Sequence, residues 1–388
     1  MPIQTSEAVA ITPTDKHHFF GYYSICPWSA DSSKLICLHS TFHDHPPEPG
    51  EVASVGYVDT ASGEWTSLSE TTAWNLQQGT MLHWLPRQPD THIVHNDLED
   101  ARLVSRVINV DTGERERTYD RPIAAMSHTG DVACNLNYAR MFRRRRVVGY
   151  AGADDHTEGV LAPEDDGLFL MDLETGESKL IVSMASIISD FDHPEEMANE
   201  PIWFNHVGFC PDDSRIFFLA RYCVGGYGGP LNSAMFTVAQ DGSDLRKVVD
   251  YGRSMSHFEW KNNEEIIVTI NWEDLGRAFV IFTDGEDDHR LLDPQLVQDG
   301  HMTYSPDRRW LLSDIGPRSH PESHSTLRLW DSETAELHIL GTYYNPEPYR
   351  GDIRCDLHPR WNHSGDELSF DSIHEGTRQV YTMKVELT

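Results

Sequence analysis

Four histidines stand at one place in a recurring pattern: His206, His257, His301 and His358. Each lies five residues before the turn position that proline fills at Pro211 and Pro306. Imidazoles that converge on one point suit a borderline divalent cation, and Mn²⁺, Zn²⁺ and Ca²⁺ are the candidates. Cys355 and Asp356 sit just before His358 and offer either a further ligand or an outer hydrogen-bonding partner. Earlier copies of the pattern carry Ile25, Met81 and Ile123 at that place, so the set of imidazoles is one-sided. The alternative reading is that each His hydrogen-bonds a neighbouring strand and serves only the fold.

The first half of the chain supplies a different chemistry. His17-His18-Phe19-Phe20-Gly21-Tyr22-Tyr23 is dense in aromatics and imidazoles, and Trp74-Asn75-Leu76-Gln77-Gln78-Gly79 and His95-Asn96 follow it. Asn135-Leu136-Asn137-Tyr138-Ala139-Arg140 runs into Arg143-Arg144-Arg145-Arg146 and then Gly149-Tyr150. Consecutive arginines in an acidic chain either offset nearby acids such as Asp154-Asp155 or gather a carboxylate or sulfate by paired hydrogen bonds. Arg221 is a second candidate of that kind.

These groups need elements to position them, and the same pattern names the elements. It reads His301-Met-Thr-Tyr-Ser-Pro-Asp-Arg-Arg-Trp-Leu-Leu and returns around His206, His257 and His358, with weaker copies near Ile25, Met81 and Ile123. Each copy is a strand, a turn and a second strand of period two. A later Asp/Gly turn, as in Val110-Asp-Thr-Gly-Glu and Met171-Asp-Leu-Glu-Thr-Gly-Glu, closes a further hairpin. The seven starts are separated by 56, 42, 83, 51, 44 and 57 residues. Four short strands every 40–50 residues or so is the signature of a β-propeller. The sequence therefore predicts an all-β fold, one seven-bladed propeller over residues 1–388, with an N-terminal strand around Val9-Ala-Ile-Thr completing the last blade. The wide third gap leaves room for an insertion near Arg140 to Asp166 or Ser183 to Pro201. A pair of β-sandwiches is the competing architecture. In a propeller the first strand of every blade lines the central channel, which is how imidazoles from neighbouring blades would meet.

Composition sets the partners. The 388 residues carry 31 Lys+Arg against 62 Asp+Glu, a net charge of −31. Such a field repels nucleic-acid backbones and anionic lipid. No apolar run approaches the length of a membrane span, and no signal peptide is visible, so a cytoplasmic protein is expected, or a secreted one if a leader has been removed. Six cysteines without a CxxC pair fit a reducing compartment.

The stretches His17–Trp28, Trp74–Trp84, His95-Asn96, Asn135–Tyr150, His206–Tyr222, His257–Trp260, His301–Gly316 and Arg354–Tyr381 together resemble the propeller polysaccharide lyases. The nearest types are the oligogalacturonate and ulvan lyases. That resemblance implies β-elimination on a uronate-containing oligo- or polysaccharide, with a divalent metal at the site. His301 and His358 match two metal ligands of the oligogalacturonate type, Asp356 stands where that type has a further His, and its Gln ligand has no clear match. His257 matches the proposed base. His95 and Tyr138 are similar to the His and Tyr of ulvan lyases, while Asn75 stands where a further His is expected. His18, Tyr22, Asn75, Arg140, Arg144, Tyr150 and Arg221 complete the expected substrate contacts. A non-catalytic propeller that binds a sugar or protein, its histidines structural, is the alternative from another functional class.

Overall fold

Repetition of the turn explains why the strands form where they do. In five copies a small polar side chain ends the first strand and accepts the backbone N–H of the second: Lys34 N–H donates to Ser29 Oγ at 3.0 Å, Val132 to Ser127 Oγ at 3.2 Å and Trp310 to Ser305 Oγ at 3.0 Å. Arg215 does the same to Cys210 Sγ and Glu367 to Asn362 Oδ1, both at 3.2 Å. Three residues after each acceptor the backbone turns left-handed, at Ser32, Gly130, Asp213, Arg308 and Gly365. A reversal of this kind twists the hairpin in the sense that the strands require.

The computed structural model describes residues 3–317 and 323–387. Those residues form seven antiparallel sheets, six of four strands and one of five, taken in chain order. The fold is a seven-bladed β-propeller. The first strands of the second to seventh sheets are His83–Trp84, Ala125–Met126, Trp203–Phe209, Phe258–Trp260, Met302–Tyr304 and Arg360–Trp361. Each of these, and the bridge between Trp28 and Leu35, carries a large side chain at one register position: Trp28, Trp84, Met126, Phe209, Trp260, Tyr304 and Trp361. That position lies three residues after Ile25, Met81, Ile123 and the four aligned histidines, so the alignment of the pattern holds through all seven copies.

The first sheet opens in the segment rich in aromatics and imidazoles and not at the first copy of the pattern. Its first strand is His17–Phe19, and the stretch near Ile25 contributes only the Trp28–Leu35 bridge. The reason lies in a competing acceptor. Backbone N–H groups of Phe20 and Gly21 donate to the Asp371 carboxylate at 3.3 and 3.0 Å, which lifts this segment out of the sheet. Gly21 has φ +92°, and a Cβ there would lie 2.7 Å from the Gly79 nitrogen, so only glycine fits. The insertion expected at one of two places occupies both, as the helices Tyr138–Arg144 and Met184–Asp190, each followed by a short 3₁₀ turn.

The chain forms two compact units, 1–95 with 106–117 and 295–388, and 96–105 with 118–294. In the first, the sixth and seventh sheets share a core of Trp310, Leu312, Leu327, Leu329, Leu357, Trp361, Leu368, Phe370, Tyr381, Met383 and Val385. The N-terminus adds Gln4–Thr5 and Val9–Ala10 to the last strand, Gln379–Glu386, with Gln4 opposite Glu386 and Val9 opposite Thr382. The second unit holds the third to fifth sheets and both helices.

Candidate metal centre

His301 and His358 open the sixth and seventh sheets, immediately before the strands Met302–Tyr304 and Arg360–Trp361. Their rings lie 4.1 Å apart, edge to face. Asp356, two residues before His358, brings a carboxylate to the same place. One ligand atom from each of His301, Asp356 and His358 falls within 4.8 Å of the others, and all three residues are buried. Tyr23 covers the pair, its ring 4.9 Å from that of His301 and stacked 6.2 Å from that of His358.

Hydrogen bonds fix the orientation of these groups. Asp314, from the second strand of the sixth sheet, accepts the His301 backbone N–H at 2.8 Å and faces Nδ1 of the same residue at 3.0–3.1 Å. An ionised carboxylate only accepts, so His301 Nδ1 carries a proton, and in the neutral ring Nε2 keeps the lone pair. The other Asp314 oxygen accepts the His358 N–H at 3.2 Å. Arg354 Nε donates to Asp356 at 2.7 Å, which orders that carboxylate. His358 Nδ1 is buried and has no hydrogen-bond partner among the described residues.

Burial pushes the His301 imidazole towards its neutral form, but Asp314 and then Asp356 outweigh it and the pKa is raised. For His358, burial, the neighbouring His301 and then Arg378, Arg360 and Arg354 all act in one direction and hold the pKa well below the usual value. A neutral imidazole, a second imidazole of fixed tautomer and a carboxylate form a donor set for Mn²⁺ or Zn²⁺. An orphaned buried nitrogen in such a set fits a bound cation better than a purely structural cluster.

A second buried carboxylate stands thirteen residues after His358. Asp371 lies on the second strand of the seventh sheet, and Arg360 and Arg378 each donate to it at 2.7 Å. All three side chains are at most 1% exposed. Arg360 also donates to the Tyr22 carbonyl at 3.3 Å, which ties the Tyr22-Tyr23 segment to the strand that follows His358.

The chain shares the fold of the oligogalacturonate lyases. An oligogalacturonate lyase in complex with manganese superposes with a TM-score of 0.68 at 16% identity, covering 99% of this chain and 96% of that one. The oligogalacturonate lyase from Vibrio parahaemolyticus gives 0.65 at 14% identity, over 99% and 97% of the two chains. Hydrazine synthase of Kuenenia stuttgartiensis gives 0.50 at 11%, over 95% and 96%. No family model matches the chain, and no curated protein is similar to it in sequence.

The remaining expected residues are distributed as follows. His206 and His257 belong to the second compact unit and are not members of the His301–Asp356–His358 group. His206 sits on a bulge with φ +48° and meets Phe258 edge-on, with ring centroids 5.0 Å apart. His257 is half-buried with Nδ1 3.0 Å from the Ser256 hydroxyl. His95 is buried, its Nε2 3.1 Å from Ser69 Oγ. Tyr138 and Tyr150 are buried and stacked at 4.4 Å, and the Tyr150 hydroxyl accepts from Asn96 at 3.2 Å. Burial pushes the Tyr150 phenol well up.

Arg140 differs most from its expected role. Its guanidinium is buried and donates to the carbonyls of Thr157, Val160, Leu161 and Ile202 and to the Thr157 hydroxyl. It staples the insertion, leaving no fork for a substrate carboxylate. Arg143 pairs with Asp155 at 3.3 Å and Glu158 at 2.7 Å. Arg144 is half-buried in the same helix, and burial lowers its pKa. Arg221 is buried on the strand Arg215–Cys223. Asn75 shapes a turn by accepting the N–H groups of Gln77 and Gln78 at 3.0 and 2.8 Å. His18 stacks on His39 at 5.1 Å, and burial and then His39 bring its pKa down to about 4. Tyr22 is buried beside Tyr23.

Sequence reasoning missed Asp314, Arg354 and Asp371. One signal was present: Asp314 and Asp371 each follow their sheet's histidine by thirteen residues, the spacing that pairs them across the first hairpin.

Proposed function

We propose that this protein is a metal-dependent lyase that cleaves uronate-containing oligosaccharides by β-elimination. The buried His301–Asp356–His358 group carries the proposal, because it sits in a fold shared with an oligogalacturonate lyase in complex with manganese. Hydrazine synthase has the same overall fold, so the fold without the site does not carry the argument.

The chemistry explains the residue types. The proton on C5 of a uronate becomes acidic only when the neighbouring carboxylate charge is neutralised. His301, Asp356 and His358 would hold a divalent cation, and the cation would supply that neutralisation. A general base accepts the C5 proton, the C5–H electrons form the C4=C5 bond, and the C4–O4 bond breaks. The departing O4 leaves as a hydroxyl once it takes up a proton. Asp314 and Arg354 hold the ligand side chains in place during this sequence. The acidic surface opposes an anionic substrate only within about 8 Å at physiological salt, so a local cation prevails.

The test is a spectrophotometric assay with oligogalacturonates and glucuronate oligosaccharides in Mn²⁺. An ultraviolet band from the unsaturated product is expected, lost on chelation and in His301→Ala. Absence of that band across the panel, with metal bound, overturns the lyase reading and favours a binding propeller.

A further inference from the structure

The sixth and seventh sheets place a carboxylate at the same register position, and the two are compensated differently. Asp371 is neutralised by two guanidinium groups, Arg360 and Arg378. The Asp314 carboxylate is 1% exposed, and it accepts the Nδ1–H of the His301 imidazole, 3.0 Å away. Arg328 lies on the next strand of the same sheet but donates to the Asp314 main-chain oxygen at 3.5 Å. Asp314 therefore spends its two oxygens on the site: one on the His301 N–H, both on the His301 ring, one on the His358 N–H.

We propose that Asp314 is the positioning residue of the metal centre, a single buried carboxylate that sets the His301 tautomer and fixes the spacing of His301 and His358. This rests on the metal-site reading above and adds a residue to it. Without Asp314, His301 is free to carry its proton on Nε2, which removes the lone pair that nitrogen would offer a cation. The two main-chain N–H groups lose their common acceptor, and the ligands from adjacent sheets lose their tie. Outer-sphere carboxylates of this type usually change metal affinity by about 10–100-fold.

Calorimetric titration of the full chain with Mn²⁺ tests this. Asp314→Asn is isosteric, but its amide replaces one acceptor with a donor. We expect it to weaken Mn²⁺ binding by about 10–100-fold. Asp331→Asn is the control: it removes a carboxylate of the same sheet that pairs with Arg309 at 2.7 Å, away from the histidines. It is expected to lower the thermal midpoint and leave Mn²⁺ affinity at the parent value. Equal affinity in the parent and in folded Asp314→Asn overturns the proposal, as does an equal loss in the control.

Should Asp314→Asn fail to fold, the parent still decides the matter. Nitrogen-15 spectra of histidine-labelled protein, with His301 assigned by its absence in His301→Gln, are expected to show the Nδ1–H tautomer. An Nε2–H tautomer overturns the proposal. A parent that binds no Mn²⁺ removes this inference together with the metal site, whereas Mn²⁺ binding without uronate cleavage removes only the lyase reading.

Discussion

His301 and His358 are one residue type in one pocket, pushed in opposite directions by their neighbours. Carboxylates face the first, while guanidinium groups and the first imidazole face the second. Truncating either, or changing Asp356 to Asn, is expected to abolish Mn²⁺ uptake measured by elemental analysis after gel filtration; retained stoichiometric metal would place the ion elsewhere. A third histidine reports on stability. His83 is buried with Nδ1 2.8 Å from the Met81 carbonyl, and burial brings its pKa from 6.5 down to about 4. The unfolded chain takes up a proton below its ordinary pKa that the folded chain refuses, so this contribution is complete above that value. It is lost as the pH falls towards the folded one, and amounts to about 3 kcal/mol. Urea melts of His83→Gln should show a shallower fall in stability across this window than the parent, and a curve of unchanged shape would refute the assignment.

At the scale of elements, the hairpins of the sixth and seventh sheets do the positioning. Breaking the Asp371 triad as Asp371→Asn leaves two buried guanidinium groups poorly compensated and should cost about 3–5 kcal/mol in denaturant melts. A loss below 1 kcal/mol would show that water reaches the site. Much of this was legible beforehand. The turn after each first strand announces itself in Ser-Pro-Asp and its variants, and the register of His301 and His358 followed from it. The carboxylates stayed hidden because thirteen residues of separation looks non-local until the hairpin closes and makes Asp314 and Asp371 cross-strand neighbours. Arg140 misled for a related reason. An arginine next to four others suggests an anion site, and only the path of the insertion reveals that carbonyls of residues 157–202 claim its donors. The copy of the pattern near Ile25 yields only a bridge, because the pull of Asp371 on Phe20 and Gly21 comes from the far end of the chain.

For the whole molecule, the terminal strands carry the clearest expectation. Thr12 Oγ1 donates to Gln379 at 2.6 Å and accepts the Val380 N–H at 3.1 Å, beside the pairings of Gln4–Thr5 and Val9–Ala10. Deleting residues up to Thr12 uncovers the edge of Gln379–Glu386, and a bare edge templates association. Light scattering should then show larger species and calorimetry a lower midpoint; an unchanged size and midpoint would mean that the last strand needs no cover. Net charge of −31 works against such association but does not replace the missing hydrogen bonds.

The Asp371 clamp has a consequence for synthesis. Phe20 leaves the ribosome 351 residues before its acceptor does. Until the closing segment emerges, the Phe20 and Gly21 amides and the Tyr22 carbonyl wait for Asp371 and Arg360. Long-range closure of this sort is the slow step in β-rich chains. A prematurely terminated polypeptide would thus leave its own beginning unfinished, since the partners of residues 20–22 arrive only with the last blade.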